Sequence, residues 1–206
     1  MRNNWFVFRD RRPDLYGPLL RLTGRYGAVR ARQSDIISIL TRSAFPDYAV
    51  MSEHKATITW QRNGAIFTDK KYSRAHHWKF DGGAVVPGSS SPQVVRVPLS
   101  DPAAVDPEEA FVASISSCHM LWFLSLAAAR GFVVDSYEDG AIGVMTQNER
   151  KVLWISTVML HPRITYSGTR RPTPQEEENF HHEAHAQCFI ANSIKTEVIV
   201  QSETPS

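Results

Sequence analysis

The chain has 206 residues and a mass of 23.2 kDa, and 42% of its residues are hydrophobic while 21% are charged. This size and composition fit one large folded domain, or one ordinary domain with an extension, and exclude a disordered chain. The formal net charge of +2 gives no reason to expect a nucleic-acid partner. Polar residues interrupt the most apolar stretch, residues 111–129, so we expect no membrane span.

The first 50 residues differ in charge from the rest. Met1–Val50 contain nine arginines and four aspartates but neither lysine nor glutamate, whereas the other 156 residues hold 14 basic and 17 acidic side chains. One short helix is predicted at Asp35–Thr41. We predict an Arg-rich extension over residues 1–50, which is either dispensable or an upstream reading of a true start near Met51, and a main domain over 51–206. The four aspartates argue against a targeting peptide.

The main domain opens with strand patterns. Residues 56–60 alternate between apolar side chains and threonines, which predicts a half-buried strand. Asn63-Gly64 predicts a hairpin turn, with residues 65–67 as the returning strand. A third strand is predicted within residues 72–80, and the Ser- and Pro-rich stretch 84–102 is predicted to be loop or a short edge strand.

Two helices are predicted from capping signals. Asp106-Pro107-Glu108-Glu109 combines an N-cap Asp, a Pro in the first turn and a Glu three residues after the cap. The helix that follows ends before Gly131 and is apolar all round, so we expect a central helix that is buried on all sides. Thr173-Pro174-Gln175-Glu176 repeats the capping signal and opens a second helix, which we extend to Cys188.

Further strands are predicted between and after these helices. In the strand predicted over residues 152–164, the alternation of apolar and polar side chains slips phase once, at Ser156 and Thr157. Strands and helices do not alternate strictly along the chain, which favours an α+β fold with an antiparallel sheet over a doubly wound parallel sheet. These strands cover residues 132–135, 141–146, 152–164 and 196–201.

The two cysteines, Cys118 and Cys188, fall in different predicted helices. They are too few for a disulfide framework or a four-ligand zinc site, and residues 1–10 lack the apolar stretch of a secretory signal, so we expect a reducing, cytoplasmic setting. They are either small core residues or a redox pair. A redox pair needs a nearby positive charge, because Cys118 lies too deep in its helix for the helix dipole to lower its pKa.

Two further groups of side chains near the cysteines each allow two interpretations. His181, His185 and Cys188 share a helix face, which suits a zinc or copper site, although we favour a solvated histidine-rich face and no metal. Four large apolar residues near Cys118 suit either an ordinary core or the wall of a pocket for an organic substrate. These four are Phe111, Met120, Trp122 and Phe123.

The residues around both cysteines identify a family. The stretches VDPEEAFVASISSCHMLWFLSLAAARG, VDSYEDGAIGVM and AHAQCFIANSIKTEVIV resemble the OsmC/Ohr family of peroxide-reducing proteins, and the similarity covers about residues 53–201. The resemblance implies an α+β fold with antiparallel sheets wrapped around two long central helices. It also implies an intertwined homodimer with active sites at the interface. CFIANS departs from the CPVSN common in the best-studied branches and indicates a less characterised OsmC-like subgroup.

The resemblance also implies a chemistry, the reduction of organic hydroperoxides to alcohols. Cys118 matches the peroxidatic position, which becomes a sulfenic acid, and Cys188 matches the resolving position, which then forms the disulfide. An external dithiol, typically a lipoyl group, would reduce the disulfide, and no bound cofactor or metal is implied. The family also uses an arginine held by a glutamate. Glu108 matches the glutamate, and we prefer Arg74 to Arg62 as the arginine.

The sequence therefore predicts a cytoplasmic, homodimeric, cysteine-based peroxidase that acts on organic hydroperoxides in the response to oxidative stress. Its expected partners are the peroxide, a dithiol or lipoylated electron donor and a second copy, with neither nucleic acid nor membrane. The alternative is a non-catalytic redox sensor or a binding protein for apolar ligands on the same fold.

Overall fold

The computed structural model describes residues 6–8 and 52–202. The predicted helix at 35–41 and the proposed boundary at Met51 lie outside the described residues. The elements are β1 (Phe6–Phe8), β2 (Ala56–Thr59), β3 (His76–Phe80), β4 (Val85–Gly88), α1 (Pro107–Ala129), β5 (Val133–Asp139), β6 (Ile142–Gln147), β7 (Leu153–Leu160), β8 (Pro162–Ser167), α2 (Pro174–Gln187) and β9 (Glu197–Val200), with a 3-10 turn at Ala191–Ser193.

The strands of the described residues form three sheets. The largest has the order β1-β9-β7-β6, in which β7 and β9 run parallel and the other neighbours run antiparallel. Strands β2, β3 and β4 form an antiparallel sheet, and β5 pairs antiparallel with β8. The parallel pair is possible because β8 and α2 carry the chain back before β9 begins. The predicted α+β class with mainly antiparallel sheets is confirmed.

The hairpin predicted at Asn63-Gly64 is wrong. Both residues adopt positive φ angles, 49° and 79°, as a tight turn of this type requires. Residues 65–67 nevertheless form no strand, and β2 pairs with β3 instead. The dipeptide determines the local turn, but the partner of a strand depends on side chains more distant along the chain.

The strand predicted over residues 152–164 is two strands, β7 and β8, separated by His161. The phase slip at Ser156 is a β-bulge, because the register of β7 against β6 shifts there by one residue. β5 runs on to Asp139, beyond the predicted 132–135, since it pairs along its whole length with β8.

Both helices begin as their capping signals predict. The Asp106 carboxylate accepts the backbone N–H of Glu109 at 2.7 Å, and the Glu109 carboxylate accepts the N–H of Asp106 at 3.0 Å. Thr173 and Glu176 form the same reciprocal pair at the start of α2. After α1, Gly131 takes a positive φ of 79°, which ends the helix.

Helix α1 contributes to both hydrophobic clusters of the described residues. Phe123 packs with Phe180 of α2, while Ile115 packs with Val158 of β7 and Val198 of β9. α1 is therefore the central helix, as the sequence predicts.

One face of α1 is open in the single chain, because Leu121 is 59% exposed, so the expectation of burial on all sides is wrong here. By length and composition alone α1 would also suit a membrane span, a property shared by core helices of soluble proteins. Five of its side chains are buried, namely Ile115, His119, Trp122, Phe123 and Ala127.

Candidate active site

The fold brings the two cysteines together from different helices. Cys118 lies in the middle of α1, and Cys188 is the C-cap residue at the end of α2. Their thiols lie close enough to interact by hydrogen bonding, and both are in the reduced form. Cys118 is partly exposed, whereas Cys188 is buried in the first hydrophobic cluster. Cys118 is therefore the more accessible of the two cysteines.

The environment keeps Cys188 protonated at neutral pH. Burial is the main cause that raises the pKa of the Cys188 thiol to about 12, and its hydrogen bond with Cys118 raises it further. The backbone N–H of Ala191, 3.3 Å from the sulfur, opposes this only in part. Because a thiolate is the nucleophile in thiol chemistry, Cys188 is poorly suited to react first.

The four predicted pocket residues have different surroundings. Phe123 is fully buried in the core, and Phe111 is packed against the second hydrophobic cluster. Met120 is half-buried. Trp122 is 9% exposed and its ring meets that of Phe189 edge-on, with the ring centroids 5.6 Å apart. Phe189 directly follows Cys188 and is 71% exposed, so this aromatic pair forms an apolar surface beside the thiols.

Both candidate arginines make local contacts in the single chain. The guanidinium of Arg74 donates hydrogen bonds to the carbonyls of Lys70, at 2.9 Å, and Tyr72. It also lies over the Tyr72 ring, 4.0 Å from its centroid. Arg62 donates to the carbonyl of Ala65 at 2.9 Å. Arg74 precedes β3 and Arg62 follows β2, so both lie in the segment that joins these two strands, whereas Cys118 lies in α1 and Cys188 at the end of α2.

Glu108 lies in the first turn of α1, ten residues before Cys118, and is half-buried. Unlike the neighbouring Glu109, it has no role in the capping box. Within residues 52–202 its carboxylate forms no ion pair with Arg74 or Arg62. One chain thus brings the two cysteines together but does not join them to the expected arginine and glutamate.

A buried histidine pair lies between the two helices, and the sequence did not predict it. His119 Nε2 and His181 Nδ1 are 3.0 Å apart, and the two side chains are 1% and 0% exposed. Burial is the main cause that lowers the pKa of His119 to about 3, and it also lowers the pKa of His181 well below its usual value. Both rings are therefore neutral at physiological pH.

This pair corrects the expectation of a solvated histidine-rich face. His181 is buried and bonded to His119, although the adjacent His182 is exposed. The described part of the chain holds no group of three or more side chains arranged to bind a metal. The spacing of His181 and Cys188, two helical turns apart, did indicate a common face. It did not indicate that α1 covers that face.

These features define an α+β protein with a reduced dithiol at the contact between its two helices. The family described as OsmC-like protein matches residues 100–203, which include both cysteines and both helices. The chain belongs to this OsmC-like family. No curated protein matches it.

Solved structures agree with this assignment. An OsmC-like protein of unknown function from Vibrio cholerae is 52% identical, with a TM-score of 0.73 over 74% of this chain and 100% of that one. An organic hydroperoxide resistance protein OsmC from Legionella pneumophila is 18% identical, with a TM-score of 0.53 over 74% of this chain and 96% of its own. An organic hydroperoxide resistance protein from Elizabethkingia anophelis is also 18% identical, with a TM-score of 0.55 over 75% of this chain and 96% of its own. The last two share the fold.

Proposed function

We propose that this protein is a cysteine-based peroxidase that reduces organic hydroperoxides to alcohols. The observation that carries the proposal is the meeting of two unlike thiols, the accessible Cys118 and the buried Cys188 with its raised pKa. Membership of the OsmC-like family supports it, and so does the fold shared with proteins named for organic hydroperoxide resistance.

The reaction divides between the two sulfurs. The Cys118 thiolate attacks one oxygen of the hydroperoxide, so that an S–O bond forms, the O–O bond breaks and the alkoxide takes up a proton to leave as the alcohol. The Cys188 sulfur then attacks the sulfenic acid on Cys118. An S–S bond forms, and the hydroxyl group leaves as water with the proton of Cys188. The thiol pair is oxidised by two electrons, and the peroxide is reduced by two.

An external dithiol would return the disulfide to two thiols by exchange, and we propose a lipoyl group or a lipoylated protein as the donor. No bound cofactor is needed, since the oxidant and the reductant are both substrates. We place the reaction in the cytoplasm, where thiols are kept reduced.

We also propose that the active protein is a homodimer. On one face of the three-stranded sheet β2-β3-β4, the apolar side chains of Ile58 and Phe80 are 58% and 39% exposed. Small isolated sheets are marginally stable, and clusters of exposed apolar side chains mark interaction surfaces. A second copy would cover this sheet, and it would bring Arg74 of one chain to Glu108 and Cys118 of the other. That placement would supply Glu108 with the arginine that it does not meet among residues 52–202 of its own chain.

A count of free thiols tests the peroxidase proposal. Reduced protein is treated with one equivalent of cumene hydroperoxide, with hydrogen peroxide as a parallel control. We expect rapid loss of both thiols and a crosslink between the Cys118 and Cys188 peptides by mass spectrometry. Cys118→Ser should not react, and Cys188→Ser should stop at a sulfenic acid that dimedone traps. Two unreacted thiols in folded wild-type protein would refute the proposal.

The alternative function is a redox sensor or a binding protein for apolar ligands, and Phe189 is the observation that favours it. This exposed ring and Trp122 form an apolar surface that would hold a ligand without any chemistry at sulfur. Binding of an apolar ligand that is equally tight in Cys118→Ser, together with no peroxide reduction by wild type, would favour this alternative.

A further inference from the structure

The histidine pair His119–His181 has a defined geometry in the core. The two ring planes are within 11° of parallel, with centroids 5.3 Å apart, and a single N···N contact of 3.0 Å joins the rings edge to edge. The ring of Phe123 lies over His181 with its centroid 4.5 Å away, which shields the contact from water. A hydrogen bond that is excluded from water is sensitive to small displacements of its partners.

The histidine pair and the thiol pair join the same two helices. His119 directly follows Cys118 in α1, and His181 precedes Cys188 by seven residues, two turns back along α2. Each helix thus contributes one cysteine to the thiol pair and one histidine to the imidazole pair. Any shift of α2 along α1 that changed the distance between the sulfurs would also stretch the bond between the imidazoles.

The pair is a poor choice for stability alone. One N–H···N bond needs one ring as donor and the other as acceptor, so the two outer nitrogens comprise one N–H and one lone pair. These outer atoms, His119 Nδ1 and His181 Nε2, are buried and have no hydrogen-bond partner among the described residues. A buried polar atom without a partner costs stability, and two apolar side chains of similar size would avoid that cost. A directional hydrogen bond between two buried rings is suited instead to fixing one register between the helices.

Disulfide formation needs such a register. Two thiols in contact must approach to a bond of about 2.05 Å with a restricted dihedral angle, so a small shift in either helix prevents closure. Cys188 stands at the C-cap, where the regular hydrogen bonding of α2 ends. The helix alone therefore holds its sulfur less firmly than it would hold a residue in its interior.

We propose that His119 and His181 are positioning residues that hold α2 in the register required for the Cys118–Cys188 disulfide to close. The inference rests on the proposed peroxidase function and assigns the pair to its second step. In that step Cys188 displaces the hydroxyl group of the Cys118 sulfenic acid as water. The pair has no part in the first step, because the peroxide reaches only the accessible sulfur.

The two steps are measured separately in the full chain. Stopped-flow reaction with cumene hydroperoxide gives the rate of sulfenic acid formation, and loss of dimedone reactivity gives the rate of disulfide closure. In the double variant His119→Leu/His181→Leu we expect the first rate to change less than about twofold and the second to fall at least about tenfold, since small misplacements cost that much. An unchanged closure rate, or equal loss of both rates, would overturn the inference.

Matched variants separate register from general stability. The ion pair in which Nη2 of Arg130 donates to both carboxylate oxygens of Glu183, each at 2.7 Å, also links the end of α1 to α2, but it does not involve the residues next to the cysteines. Arg130→Gln should lower the melting temperature and leave the ratio of the two rates at the wild-type value. His181→Asn keeps a polar atom near the position of Nδ1 and should recover most of the closure rate. No recovery in a folded His181→Asn protein counts against the register role.

A measurement without peroxide distinguishes this inference from the peroxidase proposal. Equilibration in glutathione redox buffers gives the tendency of the two thiols to form their disulfide. In the double variant the equilibrium constant for disulfide formation should be at least about tenfold lower than in wild type, because the thiols are less well placed. A wild-type protein that forms the disulfide in these buffers but ignores peroxides would refute the peroxidase alone. An equal equilibrium in both proteins would refute the register role alone.

Discussion

At the scale of single residues, burial makes two identical side chains chemically different. Cys118 sits partly exposed on α1, while Cys188 is 1% exposed and its pKa is raised to about 12. Burial lowers the reactivity of Cys188 in two ways. It keeps reagents away from the side chain, and it disfavours the negatively charged thiolate, which is the reactive form. The order of events in the proposed reaction follows from this difference.

Selective alkylation tests that difference. At pH 7.5, iodoacetamide should modify Cys118 at least about tenfold faster than Cys188 in the folded protein, as expected for a buried thiol of raised pKa. Peptide mass spectrometry of quenched samples measures both rates. In urea the two rates should become equal, which serves as the control. Equal rates in the folded protein would show that Cys188 is not protected.

The buried histidines predict a dependence of stability on pH. Burial lowers the pKa values of His119 and His181 below the value near 6.5 that both have in the unfolded chain. Below pH 6.5 the unfolded state therefore binds protons that the folded state does not. The free energy of unfolding should be highest above pH 6.5 and fall as the pH decreases towards the folded pKa values, by up to about 1.4 kcal/mol per pH unit for each histidine.

Urea unfolding at pH 7.5, 6.5 and 5.5 measures this slope. His119→Leu/His181→Leu should show a shallower slope than wild type. Some slope should persist in the variant, because burial lowers the pKa of His185 as well. Identical slopes in the two proteins would mean that the pair does not titrate as its burial requires.

At the scale of elements, β6 packs closely against α1 at a glycine. A Cβ atom on Gly143 would lie 2.5 Å from Cγ2 of Val112, well inside van der Waals contact. Val112 is β-branched, and its rotamer is restricted within a helix, so it cannot move aside freely. Glycine at this position therefore sets how closely the sheet approaches the central helix.

Gly143→Ala should destabilise the protein by about 1–3 kcal/mol, the usual cost of overpacking. The Val112→Ala background should recover much of that loss, because it removes the clashing methyl groups. Gly140→Ala is the matched control, since nothing lies within 4 Å of its Cβ position and its φ is not positive, and its effect should stay within about 0.5 kcal/mol. Thermal and urea unfolding measure the stability of wild type, the three single variants and the Val112→Ala/Gly143→Ala double variant. Equal effects at Gly143 and Gly140 would contradict the close approach.

The elements also show which features the sequence could predict. Both capping boxes depend on atoms within three residues of each other, and Asp106 and Thr173 start their helices where expected. The bulge at Ser156 was visible as a phase slip for the same reason. The pairing of β2 with β3, which replaces the hairpin predicted at Asn63-Gly64, and the pairing of His119 with His181 depend on contacts between distant segments, which local patterns do not encode.

At the scale of the whole molecule, one chain holds only part of the expected site. The two cysteines meet, whereas the Arg74 guanidinium, in the segment between β2 and β3, is hydrogen-bonded to carbonyls of that same segment. Exposed apolar side chains also lie on α1 and on the three-stranded sheet, as Leu121 and Ile58 show. The proposed homodimer would account for both observations, because the same contact would bury the apolar surface and bring the arginine to the thiol of the second chain.

A mixed dimer tests whether the site is shared between chains. Cys118→Ser and Arg74→Ala proteins are co-expressed with different tags and purified in two steps, so that each dimer contains one chain of each kind. If Arg74 serves the other chain, one of the two sites keeps both Cys118 and its arginine. We then expect about half of the wild-type rate of cumene hydroperoxide reduction, although each homodimeric variant has little activity, because a thiol requires a nearby positive charge to react as thiolate.

The other outcomes of this experiment are equally informative. If Arg74 acts within its own chain, the mixed dimer has no intact site, and its rate should be as low as the rates of the two homodimeric variants. If homodimeric Arg74→Ala keeps the wild-type rate, Arg74 has no role, and the same design with Arg62→Ala tests the second candidate. Light scattering during purification records the oligomeric state directly. A monomer with full activity would refute the shared site altogether, since Cys118 would then react without any group from a second chain.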